Sequence, residues 1–167
     1  IFHDGGWIGG EKDKEYIVNI AKVLAASGLS VCSADYGLAP FDGKWPIMLD
    51  DCKKVLDWII REDISQTYKI NPEKIGVLGF SAGGHLASLL STSPETKDKI
   101  NFNVSFFAPT NLVNTLGHEG ENSEIVEEFE TRPRLHNFLE KAVFGSTYEN
   151  NPQLFRTSSP FYLVSEI

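Results

Sequence analysis

The sequence predicts an α/β fold, a mostly parallel sheet with helices on both faces. Two observations carry this. Short apolar runs of strand length, at 29–36, 75–80 and 102–109, alternate with longer stretches whose apolar residues recur at helical spacing. Glycine, proline and polar clusters punctuate the joints. Strands that alternate with helices of about ten residues or more form βαβ units, and such units build parallel sheets. No internal repeat or linker interrupts the pattern, so residues 1–167 read as one domain.

Taken in order, Ile1-Phe2-His3 reads as a strand end and residues 3–10 as a glycine-rich loop. Ile17, Ile20, Ala21 and Leu24 place a helix from Asp13 to Ser27, stopped by Gly28. The run 29–36 is strand-like, and 37–46 is a loop. Met48, Cys52, Val55, Leu56, Ile59 and Ile60 share one face of a second helix, predicted from Ile47 to Tyr68. A turn leads into the apolar strand 75–80, a third helix from Ser81 to Thr92, and the strand 102–109. Residues 111–131 are polar, a helix is predicted over 133–144, and 150–160 carry no periodic signal. The chain opens inside a strand and closes without a turn or cap. Both ends read as cut, and an internal fragment truncated at both ends is expected.

The net charge of -8 argues against a nucleic-acid partner and against an anionic membrane surface. No apolar run reaches the roughly 18 residues of a transmembrane segment. Cys32 sits in a strand-like run and Cys52 on a helix, which reads as two buried free thiols. A metal site would need further ligands nearby, so no metal is expected. Localisation and oligomeric state are not legible, and a cytoplasmic placement is only the default.

Chemistry concentrates at Gly79-Phe80-Ser81-Ala82-Gly83, which fits G-x-S-x-G between a strand and a helix. A serine at such a turn has a strained backbone, so its neighbours two residues away must lack bulk. The turn lifts Oγ clear of the sheet and puts the Ala82 N–H at a helix N-terminus, where negative charge is favoured. A phosphate-binding turn has similar geometry, but G-x-G-x-x-G and the Walker lysine are both absent. Ser81 is therefore the candidate nucleophile, with Gly79, Gly83 and Gly84 as its supporting glycines. The second feature is His3-Asp4-Gly5-Gly6-Trp7. Glycines let a substrate approach the backbone, and an H-G-G-G-type loop supplies oxyanion donors in lipases and esterases. Gly5, Gly6 and Ala82 are the candidate oxyanion hole. His3 and Asp4 support the loop, and Trp7 and Phe80 are candidates for lining a substrate pocket.

With these pieces the chain resembles the α/β-hydrolase fold, and within it the hormone-sensitive-lipase-like esterases and their acetyl- and feruloyl-esterase relatives. Asp35-Tyr36-Gly37-Leu38-Ala39-Pro40 resembles that family's D-Y-R-L-A-P. Trp45-Pro46 to Asp50-Asp51 resembles its F-P…E-D, and Asn151-Pro152 to Ser159-Pro160 its N-P…S-P. Asp4 replaces the first glycine of H-G-G-G, Gly37 the usual arginine, and Phe80 an acidic residue common before the serine. The resemblance implies a serine hydrolase of small or short-acyl carboxylic esters, working through an acyl-serine with no cofactor. It also implies a triad in the order Ser, acid, His, with the last two beyond residue 167. Four central strands are implied, with 29–36 beside 1–3, then 75–80, then 102–109. Among the histidines present, His85 is expected to pack beside the sheet, His118 to lie in a polar loop, and His136 to face solvent or the site rim. A Glu119–His136 pair would satisfy triad order. An arylformamidase, a serine peptidase, a non-catalytic ligand-binding protein and an inactive truncated hydrolase stand as alternatives.

Overall fold

The computed structural model describes residues 1–118 and 133–164. Its helices are α1 (Glu15–Ala26), α2 (Ile47–Ile59), α3 (Glu62–Tyr68), α4 (Ala82–Thr92), α5 (Leu112–Thr115), α6 (Pro133–Leu139), α7 (Pro152–Thr157) and α8 (Pro160–Val164). A single wider helical turn, Glu140–Phe144, extends α6. Two strands, β1 (Gly76–Phe80) and β2 (Phe102–Phe106), pair in parallel with Gly76 opposite Phe102 and Phe80 opposite Phe106.

The other two expected strands are present only as single bridges, from Phe2 to Gly79 on one side and to Ala34 on the other. The spatial order is therefore 34, 2, 79 and then β2, as the resemblance implies. The Phe2 N–H donates to Leu78 O, the Phe80 N–H to Phe2 O and the Ala34 N–H to Ile1 O.

The predicted long second helix is broken. Arg61 is extended (ψ 141°) between α2 and α3, and neither glycine nor proline announces the break. The missed helices are α5, inside the stretch read as polar, and α7 and α8. Asn151 caps α7 by accepting the Leu154 N–H at 3.2 Å, with Pro152 in its first turn, a pairing that marks a helix start.

α4 is the centre of the molecule, with Leu86, Ala87 and Leu90 fully buried. Met48, Leu49, Cys52 and Leu56 of α2 belong to the same core, as do Val77, Val143 and Phe155. Both cysteines are free, Cys52 buried and Cys32 half-buried. Among the described residues no helix is long and apolar enough to cross a membrane.

Candidate active site

The sheet hands the chain directly to α4 at Ser81. Its N–H donates to Phe106 O at 2.8 Å, and its carbonyl accepts the His85 N–H at 2.9 Å. Pinned on both sides, Ser81 holds φ 50° and ψ -115°. These angles match those of the first central position of a type II′ turn, where glycine is the usual occupant. No acceptor or donor among the described residues engages Oγ, and the residue is partly open to solvent.

The glycines around it are set by close approach. A Cβ on Gly79 would meet the Gly83 backbone, and one on Gly83 would meet the carbonyls of Phe2 and His3. One on Gly84 would sit 3.0 Å from the Ala108 Cβ. The strand end at His3 thus lies against the first turn of α4, and the loop from Asp4 to Trp7 leaves the sheet there. Gly5, Gly6 and Trp7 run through φ 127°, 60° and 64° in succession. Gly5 O takes the N–H groups of Ile8 and Gly9, both at 3.1 Å. No acceptor among the described residues takes the N–H of Gly5 or Gly6. Ala82 opens α4, whose first-turn N–H groups have no partner within the helix.

Each loop side chain has a defined role. His3 is buried and stacked on Tyr36 at 4.3 Å, with its Nδ1–H donating to Asp4 O at 2.8 Å. The Tyr36 hydroxyl donates to His3 O at 2.9 Å. Asp4 accepts from Lys14 Nζ at 2.6 Å and from the Tyr16 hydroxyl at 2.9 Å, tying the loop to the start of α1. Burial opposes its ionisation, but these bonds outweigh it and hold the carboxyl below the usual range. Burial and the bond to Asp4 push the Tyr16 phenol up to about 12. The Tyr16 ring meets Phe80 edge-on at 5.3 Å, and Phe80 stacks on Phe106 at 5.1 Å, on the sheet face opposite α4. Trp7 points inward and is 5% exposed.

The histidines are placed differently from one another. His85 is fully buried; its Nδ1 accepts the Trp7 indole N–H at 3.2 Å and its Nε2–H donates to Ser158 O at 2.7 Å. Burial lowers its pKa to about 4, the Ser158 bond opposing. Both ring nitrogens are occupied, so His85 has no free site with which to take a proton from Ser81. His118 is half-buried. It hydrogen-bonds the buried Glu140 carboxylate and stacks on Tyr148 at 4.4 Å. His136 is half-buried on α6. Glu119, the other half of the pair considered above, lies outside the described residues. Sequence reasoning missed the His118–Glu140 pair and the link from Trp7 through His85 to Ser158. The second had no signal to read, because Ser158 takes part through its backbone.

The family model BD-FAE matches residues 1–167. This chain belongs to the BD-FAE family. Arylacetamide deacetylase from Oryctolagus cuniculus is 33% identical over 103 residues, covering 59% of this BD-FAE chain and 26% of that protein. Esterase LipC from Mycobacterium tuberculosis is 29% identical over 169 residues, covering 99% of this chain and 40% of that protein. Among solved structures, carboxyl esterase 2 from the mycorrhizal fungus Tuber melanosporum superposes with a TM-score of 0.70 at 26% identity, covering 96% of this chain and 51% of that one. The fold of the BD-FAE chain is the α/β-hydrolase fold. The chain spans from about a quarter to about half the length of these three proteins.

Proposed function

We propose that this chain carries the nucleophile and oxyanion hole of a serine hydrolase that cleaves small or short-acyl carboxylic esters. The observation that carries the reading is the backbone at Ser81. A non-glycine residue held at positive φ, with no partner for its hydroxyl among the described residues and at the N-terminus of a buried helix, carries a strain that marks functional positions. The esterase and deacetylase names of its relatives point the same way.

In this reading Ser81 Oγ attacks the ester carbonyl. The N–H groups of Gly5, Gly6 and Ala82 receive the developing oxyanion, and removing one such donor costs about 2.7–4 kcal/mol of transition-state stabilisation. An acyl-serine forms, the alcohol leaves, and water releases the acid. The base is a histidine outside this chain, oriented by a carboxylate also outside it. Two facts support that assignment: His85 has both nitrogens engaged, and His118 is tied to Glu140.

Hydrolysis of p-nitrophenyl acetate by the natural protein, with Ser81→Ala as control, tests the reading. Activity is expected to vanish with the hydroxyl. Undiminished turnover in Ser81→Ala would sink it. A second reading, cleavage of an aryl acetamide at the same serine, is favoured by the match to arylacetamide deacetylase. Rates on paired acetate and acetamide substrates separate the two.

A further inference from the structure

We propose that His85 is a positioning residue for the oxyanion loop. Its ring, anchored on the Ser158 carbonyl, fixes the Trp7 indole and so sets the backbone of Gly5, Gly6 and Trp7 against the N-terminus of α4. This rests on the hydrolase reading for its consequence in catalysis, though not for its geometry.

The partners define the ring's state. A carbonyl only accepts, so the His85 nitrogen facing Ser158 carries the proton. An indole N–H only donates, so the nitrogen facing Trp7 is bare. His85 is thus the neutral Nε2–H tautomer, and the other tautomer would set N–H against N–H at Trp7.

Trp7 needs the anchor. Glycines accept the left-handed region freely, but a bulky residue at φ 64° is an outlier. The indole is held by the bond to His85, by an edge-on contact with that ring at 5.4 Å and 90°, and by Phe144 at 6.2 Å. Its carbonyl accepts the Ala39 N–H at 2.9 Å. Released from His85, Trp7 relaxes toward negative φ, and the N–H groups of Gly5 and Gly6 turn with it.

His85 is also one helical turn beyond Ser81, whose carbonyl takes its backbone N–H. One residue therefore ties both halves of the candidate oxyanion hole together, although Gly6 and Ser81 lie 75 positions apart.

The test compares His85→Leu, His85→Asn and Trp7→Phe in the natural protein. Leucine fills the site with no polar atom. Asparagine keeps an acceptor near the Nδ1 position, and phenylalanine keeps a ring without the N–H. With p-nitrophenyl acetate, His85→Leu and Trp7→Phe are each expected to lower kcat about 100-fold with KM within about twofold, the scale of a displaced catalytic group. His85→Asn is expected to recover most of the loss. The double variant His85→Leu/Trp7→Phe is expected to be no worse than the worse single one, because both break one link. Full kcat in His85→Leu, or additive losses in the double variant, overturns the proposal. If His85→Leu does not fold, Trp7→Phe and His85→Asn decide it alone.

Hydrogen exchange of the Trp7 indole N–H, followed by NMR, separates this proposal from the reading it rests on. Strong protection is expected in the wild type and its loss in His85→Leu, whether or not the protein turns over any ester. A freely exchanging indole in the wild type overturns the link; a protected indole in a protein that hydrolyses nothing leaves the link standing and the hydrolase reading fallen.

Discussion

Replacing Ser81 by glycine and by alanine separates the strain at the elbow from the chemistry of its hydroxyl. The backbone is held at φ 50°, ψ -115° by Phe106 O on one side and the His85 N–H on the other. Alanine keeps the Cβ and therefore the strain, and since Oγ has no partner among the described residues, Ser81→Ala is expected to be near neutral. Glycine removes the Cβ. Strained backbone of this kind costs of order 1–3 kcal/mol, and about 0.4–1 kcal/mol of any relief is lost to the freer unfolded chain. Ser81→Gly should then be more stable than Ser81→Ala by about 1 kcal/mol, or about 3 °C in Tm for a chain of this size. Urea unfolding is the assay, read from the midpoint at unchanged m. Both variants should be catalytically dead, so a gain in stability would accompany complete loss of function, as expected where strain is kept for chemistry. If Ser81→Gly proves as stable as Ser81→Ala or less so, the elbow is not strained and the reasoning that singles out Ser81 fails.

Three further outcomes follow from the same geometry. Gly83→Ala should destabilise by about 3 kcal/mol, because its Cβ meets backbone carbonyls that cannot rotate away; Gly6→Ala, with open space but φ 60°, should cost only about 1 kcal/mol, and denaturation midpoints compare the two. His85 is lowered to about 4 in the folded chain from its usual 6.5, so the unfolded chain binds its proton first as pH falls. Its contribution is complete above pH 6.5 and is lost on the way down to about 4, by about 2 kcal/mol at pH 5. His85→Leu should flatten that part of the stability–pH curve, and an unchanged slope between pH 7 and 5 would contradict the assignment. Asp4→Asn removes the carboxylate that helps hold the Tyr16 phenol near 12, and ultraviolet titration should show the phenol falling toward 10.

What the sequence reveals and what it hides divide along physical lines. The elbow is legible because its requirement is local: a sharp strand-to-helix turn needs small neighbours at Gly79 and Gly83, and both contacts exist. α1, β1, α4 and β2 are legible because burial imposes a period on them. The runs at 1–3 and 29–36 read as strands from composition, yet form only single bridges. The His118–Glu140 pair is invisible for the opposite reason: it is a tertiary contact that leaves no periodic trace, and the break at Arg61 carries neither glycine nor proline to announce it. The residues around Asn151-Pro152 did carry a helix-start signal, but α7 is too short for periodicity to support it.

The link from Ser158 through His85 to Trp7 shows why a buried polar group stands where apolar packing would be simpler. Leucine at position 85 would fill the core without the cost of desolvating an imidazole. But apolar contacts are non-directional and tolerate many orientations of a neighbouring ring. A hydrogen bond has one useful direction, and a neutral imidazole with a carbonyl on one nitrogen has one tautomer to offer the other. Trp7 at φ 64° and Ser81 at φ 50° are both held out of their preferred conformations, on segments far apart in sequence. Two strained residues that must stay in mutual alignment need a connection that specifies direction. In this fold His85 bonds the indole of the loop through its ring and the carbonyl of Ser81 through its backbone N–H.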